Sequence, residues 1–153
     1  TVLVLSRQNL NQNPGSGINA LAGGYILDDC NGTPDVILIG TGSEIDLCTG
    51  AKKILTDEKL KVRVVSMPCI EEFEKQTPEY REYVLPKAVK ARVCVEAASH
   101  YSWYKYCRDY GEIVAMTTFR TTAPAAALFK HFGFTAENVA EKARLSLSNV
   151  KKG

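Results

Sequence analysis

The glycine-rich tetrapeptide Gly40-Thr-Gly-Ser43 follows the β-branched run Val36-Ile-Leu-Ile39 and precedes a helical pattern. Backbone amides at such a junction, together with a helix N-terminus, can hold an anion. Two sharper readings fail on neighbouring residues. A dinucleotide fingerprint requires a third glycine where Ile45 stands, and the second strand ends Ser66-Met67-Pro68 with no acid to hold a ribose. Ile45 also occupies a position where a hydrolase nucleophile elbow centred on Ser43 needs glycine. What remains is a tight turn with Ser43 as helix N-cap, and an effector or anion site at Gly40 to Ser43 as the alternative.

Other reactive side chains are scattered. The 2 histidines, His100 and His131, fall in different elements and lack metal-ligand spacing. His100 precedes Tyr101, Trp103, Tyr104 and Tyr106, an aromatic cluster whose helical spacing suits a core or a subunit interface. Glu96 ends a strand, where open α/β sheets collect ligands; structural hydrogen bonding is the expectation for it. The 5 cysteines (Cys30, Cys48, Cys69, Cys94, Cys107) form no C-x-x-C pair and are odd in number, so neither a disulfide framework nor a zinc site is expected. Arg7 directly follows the apolar opening Thr1-Val-Leu-Val-Leu5. A guanidinium at the carboxyl end of a strand matches phosphate bidentately, although position alone also suits an ordinary surface arginine.

The elements that would position these groups are legible from periodicity. Strands are predicted at 2–5, 24–28, 36–39, 62–65, 92–96 and 113–116. Ile45, Leu47, Cys48, Ala51, Ile54 and Leu55 recur at helical spacing, which places a helix between the second and third apolar runs of the main body. Further helices are expected at 102–109, 123–132 and after Thr135, a candidate N-cap, with short surface helices at 70–73 and 79–84. Alternating strands and helices imply right-handed crossovers between parallel strands. Asn31-Gly32 is a hairpin signal, so strands 24–28 and 36–39 are expected to pair antiparallel. The predicted fold class is α/β: a three-layer αβα sandwich around a mixed, mostly parallel five-stranded sheet with one antiparallel strand.

A chain of 153 residues with 45% hydrophobic and 24% charged residues suits a globular domain with one core. The net charge of +2, with basic residues spread among acidic ones, argues against a nucleic-acid binder. No apolar run is long enough to cross a bilayer. The absence of an initiator methionine, and a start inside a predicted strand, suggest a piece of a longer polypeptide. Residues 11–17 (Asn-Gln-Asn-Pro-Gly-Ser-Gly) read as a linker between the opening strand and the rest.

Leu5-Ser-Arg-Gln-Asn-Leu10 resembles the segment closing the pyrimidine-binding domain of transketolases. Gly23-Gly-Tyr-Ile-Leu27, Gly40-Thr-Gly-Ser-Glu44, Arg63-Val-Val-Ser-Met-Pro68 and Phe73-Glu-Lys-Gln76 are similar to successive segments of that family. So are Val84-Leu-Pro86, Glu96-Ala97, Trp103-Tyr-Lys105, Met116-Thr-Thr-Phe119 and Phe132-Gly-Phe134. They fall in family order across nearly the whole chain. Arg120, where glycine is common, and Ala98-Ser-His-Tyr101 depart from the pattern.

The resemblance implies the C-terminal domain of a thiamine diphosphate enzyme that moves a two-carbon ketol unit between sugar phosphates in the pentose phosphate pathway. It implies residues 1–10 as the end of the pyrimidine-binding domain, 11–22 as linker and 23–153 as the C-terminal domain. It also implies a homodimer in the cytoplasm, with thiamine diphosphate and a divalent metal (Mg or Ca) held by the preceding domains. On this reading the fragment alone is non-catalytic and serves assembly. Arg7 is the one functional position that carries over, as a contact to substrate phosphate. The equivalent domain of another thiamine diphosphate enzyme, such as a 2-oxoacid dehydrogenase or deoxyxylulose phosphate synthase, is the rival within the class.

Overall fold

A computed structural model describes residues 9–117 and 124–153. The predicted opening strand 2–5, Arg7 and Arg120 lie outside the described residues. Five strands form one sheet among those described: β1 (Tyr25–Asp28), β2 (Val36–Gly40), β3 (Val62–Ser66), β4 (Arg92–Ser99) and β5 (Glu112–Met116). The helices are α1 (Ile45–Asp57), α2 (Ile70–Glu74), α3 (Pro78–Val84), α4 (Tyr104–Cys107), α5 (Ala125–His131) and α6 (Ala136–Lys152).

The spatial order is β1-β3-β2-β4-β5, with β3, β2, β4 and β5 parallel and β1 antiparallel at the edge. The antiparallel strand is the expected one, but its partner is β3 rather than β2. Asn31-Gly32 therefore does not close a hairpin, even though Gly32 does take a positive φ of 81°. The reason is competition for the sheet centre. Every residue of β2 is buried, and a strand apolar on both faces belongs in the interior of a helix-covered parallel sheet, with a neighbour on each side. Residues 29–35 can reach about 23 Å when extended, ample to carry the chain past β3, roughly 10 Å for two inter-strand spacings.

Polar contacts fix that crossing. Arg63 of β3 donates from Nε to Asp29 Oδ1 (2.8 Å) and from a terminal nitrogen to Oδ2 (3.0 Å). Its other terminal nitrogen donates to the carbonyls of Tyr83 (2.7 Å) and Val84 (3.3 Å). Asp35 and Lys61 exchange hydrogen bonds of 2.8 Å, one to the Asp35 carboxylate and one between backbones.

Alternating strand residues feed two cores. Val36, Leu38, Val64, Val93 and Val95 face α1 (Ile45, Cys48, Ala51, Leu55) and α6 (Val139, Ala140, Ala143). Ile37, Ile39, Val65 and Cys94 face Phe73, Val84, Trp103 and Tyr106, contributed by the segments around α2, α3 and α4. Helices thus cover both faces, as the pattern predicts. Thr135 caps α6, its hydroxyl accepting from the Asn138 amide at 3.2 Å. The helix expected at 102–109 is shorter: a 3-10 turn at Tyr101–Trp103 runs into α4, which Arg108 ends by adopting φ 58°. All five cysteines are free, and no helix among the described residues is long and apolar enough to cross a membrane.

Candidate functional site

The carboxyl ends of the parallel strands bring together Gly40 to Ser43 after β2, Ser66-Met67 after β3, Glu96 to His100 in and after the end of β4, and Met116 at the end of β5. Met67 donates its amide to the Gly40 carbonyl at 2.9 Å, tying the first two strand ends together. A side chain at Gly40 would lie 2.9 Å from Cys48 Sγ of α1, so the turn is pressed against the helix it introduces. Gly42 has φ +54°, a conformation glycine adopts without strain.

Ser43 does not cap α1, contrary to the sequence reading. A 3-10 turn over Gly42–Glu44 precedes the helix and moves its N-cap to Glu44. The Ser43 hydroxyl donates instead to Glu44 Oε1 at 2.6 Å, and the Glu44 amide closes the turn onto the Thr41 carbonyl at 3.1 Å. Glu44 is buried, and Asp46 lies in the first turn of α1. Two carboxylates there oppose an anion, because the negative charge already offsets the partial positive charge of the helix end. The effector alternative at Gly40 to Ser43 loses its electrostatic basis.

Asp46 has another partner. Its Oδ2 accepts from Asn11 Nδ2 at 3.1 Å and from the Asn11 amide at 3.4 Å. The stretch read as a linker is thus anchored at the carboxyl edge of the sheet.

The aromatic cluster divides between core and surface. Trp103 and Tyr106 are buried, whereas Tyr101 and Tyr104 are 76% and 57% exposed. Both exposed rings contact His100, with centroids at 4.4 and 5.5 Å. The Nδ1 atom of His100 is buried with no hydrogen-bond partner. Glu96 is half-buried beside a bulge in the β4–β5 pairing between Glu96 and Ser99. His131 ends α5, remote in sequence from this edge. Among the described residues no group of three His, Cys, Asp or Glu side chains could hold a metal ion.

Sequence reasoning passed over two buried arginines, Arg63 and Arg92, each 7% exposed or less. The available signal was a cation inside or opening a β-branched run, Val62-Arg-Val-Val65 and Arg92-Val-Cys-Val95. In a strand covered on both faces such a residue must find buried partners.

The architecture defines the class first: a three-layer α/β domain with one antiparallel edge strand and a carboxyl edge that the segment before β1 reaches through Asn11. Residues 23–135 match the family described as the transketolase-like TK C-terminal domain. Transketolase 1 of Escherichia coli is 53% identical over 147 residues, covering 94% of this chain and 22% of the relative. Transketolase 1 of Vibrio cholerae is 50% identical with the same coverage. The solved transketolase of Leishmania mexicana superposes with a TM-score of 0.86 at 39% identity, covering 93% of this chain and 20% of that one. The Pichia stipitis transketolase in complex with sedoheptulose-7-phosphate gives 0.87 at 38%, covering 95% and 21%. The chain belongs to the transketolase C-terminal domain family, and it spans about a fifth of the length of these relatives.

Proposed function

We propose that this chain is the C-terminal domain of an enzyme that transfers a two-carbon ketol unit from a ketose phosphate to an aldose phosphate in the pentose phosphate pathway. The observation that carries the proposal is the 53% identity to a bacterial transketolase across nearly the whole chain. The cytoplasm is the expected compartment, and a second copy of the complete polypeptide is the expected partner.

Thiamine diphosphate and its divalent metal (Mg or Ca) do not fit the residues described. No metal-ligand cluster is present among them, and the glycine turn at the strand ends carries Glu44 and Asp46, which would repel a diphosphate. Cofactor binding is therefore assigned to the preceding domains. The domain division, with 1–10 closing the pyrimidine-binding domain, 11–22 as linker and 23–153 as the C-terminal domain, is supported by a family match that begins at residue 23.

Arg7 is proposed to contact the substrate phosphate. The support is its place in the family-like run Leu5-Ser-Arg-Gln-Asn9 and the Asn11–Asp46 contact at the carboxyl edge. Arg7 stands four positions before that anchor, a reach of at most about 14 Å. A charge-assisted hydrogen bond to phosphate contributes roughly 1.5–3 kcal/mol. In the complete enzyme, Arg7→Ala should lower kcat/KM for phosphorylated substrates about 10- to 100-fold, mostly through KM. Arg7→Lys should recover only part, since an ammonium lacks the planar fork. A donor without phosphate should be indifferent to both; equal impairment of phosphorylated and unphosphorylated substrates would remove Arg7 from phosphate recognition.

A further inference from the structure

On the α2–α4 face of the sheet, with Arg92 of the amino end of β4 at its wall, the segments around α2, α3 and α4 line an open cavity of 590 Å³. That volume lies within the roughly 300–1,000 Å³ typical of small-molecule sites. Its charge is unbalanced. Five cationic side chains line it (Arg81, Lys87, Arg92, Lys105, Arg108) against the carboxylates of Glu74, Glu79 and Glu82. Glu74 is fully engaged, accepting from Arg81 at 3.0 Å, Lys105 at 2.6 Å and the Tyr106 hydroxyl at 2.5 Å. Glu82 accepts the Lys87 amide at 2.7 Å.

The three arginines of the cavity are each held in an unusual way. Arg92 is 1% exposed, and every hydrogen bond of its guanidinium goes to a neutral carbonyl: Val89, Tyr106, Leu85 and Pro86, at 2.8–3.1 Å. Burial first, and then repulsion from Arg108, pull Arg92 down to about 10. Arg81 has its Nε buried with no acceptor. Arg108 holds φ 58° and ψ −160°, a region that glycine favours. Strained residues and unsatisfied buried donors mark sites where something else is stabilised. Apolar surface from Phe73, Leu85 and Tyr106 completes the wall.

We propose that this cavity binds a phosphate monoester carrying a small, partly apolar organic body, with the dianion held by the accessible head groups of Arg81, Lys87 and Arg108 while Arg92 adds its uncompensated charge from behind the wall. The cavity lies across the sheet from α1, whose first turn Asn11 approaches, so the site is separate from the substrate position assigned to Arg7.

The probes are AMP, inorganic phosphate and adenosine, each titrated calorimetrically into the protein. AMP should saturate at millimolar concentration or below, inorganic phosphate should bind more weakly, and adenosine should not bind. Arg108→Gly, which relieves the backbone while deleting a charge, and Arg81→Gln should each weaken AMP about 10-fold or more. Arg7→Ala should leave AMP binding unchanged, which separates this site from the substrate reading. No saturation by AMP, equal binding of adenosine, phosphate binding as tight as AMP, or indifference to both cavity variants would each overturn the proposal.

Discussion

Replacing Arg92 by methionine removes four hydrogen bonds to the Leu85, Pro86, Val89 and Tyr106 carbonyls from a side chain that is 1% exposed. At about 1 kcal/mol net for each bond, the loss approaches 4 kcal/mol. Methionine returns part of this, because it fills the volume and spares the desolvation of a cation with no counter-charge. The expected cost is about 2–4 kcal/mol, or a Tm lower by roughly 4–16 °C for a domain of this size. Arg92→Lys keeps the charge yet should cost at least as much. An ammonium has only three donors for the four carbonyls and is more strongly hydrated than guanidinium. Urea denaturation of the three proteins, compared at equal slope, measures both effects. If Arg92→Lys stays within about 0.5 kcal/mol of the parent, as ordinary surface changes do, the four-carbonyl argument is wrong.

Acid should weaken the fold through two carboxylates. Desolvation pushes Asp29 up, but the Arg63 hydrogen bonds, the Cys30 amide and the charges of Arg63 and Lys52 outweigh it and hold the carboxyl below its usual range. Hydrogen bonds from Lys105 and then Tyr106 hold Glu74 down likewise. Depressed folded values mean that the unfolded chain binds these protons more tightly. Their contribution is therefore complete above about pH 4–5 and is lost as pH falls through the depressed values. Asp29→Asn with Glu74→Gln should flatten the loss of stability on acidification, measured by denaturation from neutral pH downward; an unchanged slope refutes the assignment. Thr135→Ala should destabilise by about 1 kcal/mol through loss of the α6 cap. Thr135→Ser, which keeps the acceptor, should recover most of that in the same assay.

What the sequence made legible was set by local physics. The runs at β2, β3 and β4 announce buried parallel strands because apolar residues fall on both faces of each strand, Val93 and Val95 against Cys94 in β4. Thr135 announces a helix start because its hydroxyl needs only the amide three residues on. Asn31-Gly32 misled for the complementary reason. It records a local turn preference, whereas the partner of β1 is decided by β2 claiming the centre and by the Asp29–Arg63 pair, 34 residues apart. Ser43 failed as a cap because one extra 3-10 turn shifted the helix start, a displacement of a residue or two that periodicity does not resolve. Arg92 stayed hidden because its partners are backbone carbonyls, and side-chain identity carries no record of those. Family resemblance, not spacing, singled out Arg7.

Product analysis of ketol transfer tests the central claim most directly. The account predicts that the complete polypeptide bearing this domain shortens a ketose phosphate by two carbons and lengthens an aldose phosphate by two. Thiamine diphosphate and a divalent metal should both be required, and the 153-residue chain alone should yield no product under the same conditions. Transfer by the isolated chain, or a folded, cofactor-loaded complete polypeptide that moves no two-carbon unit, would contradict it.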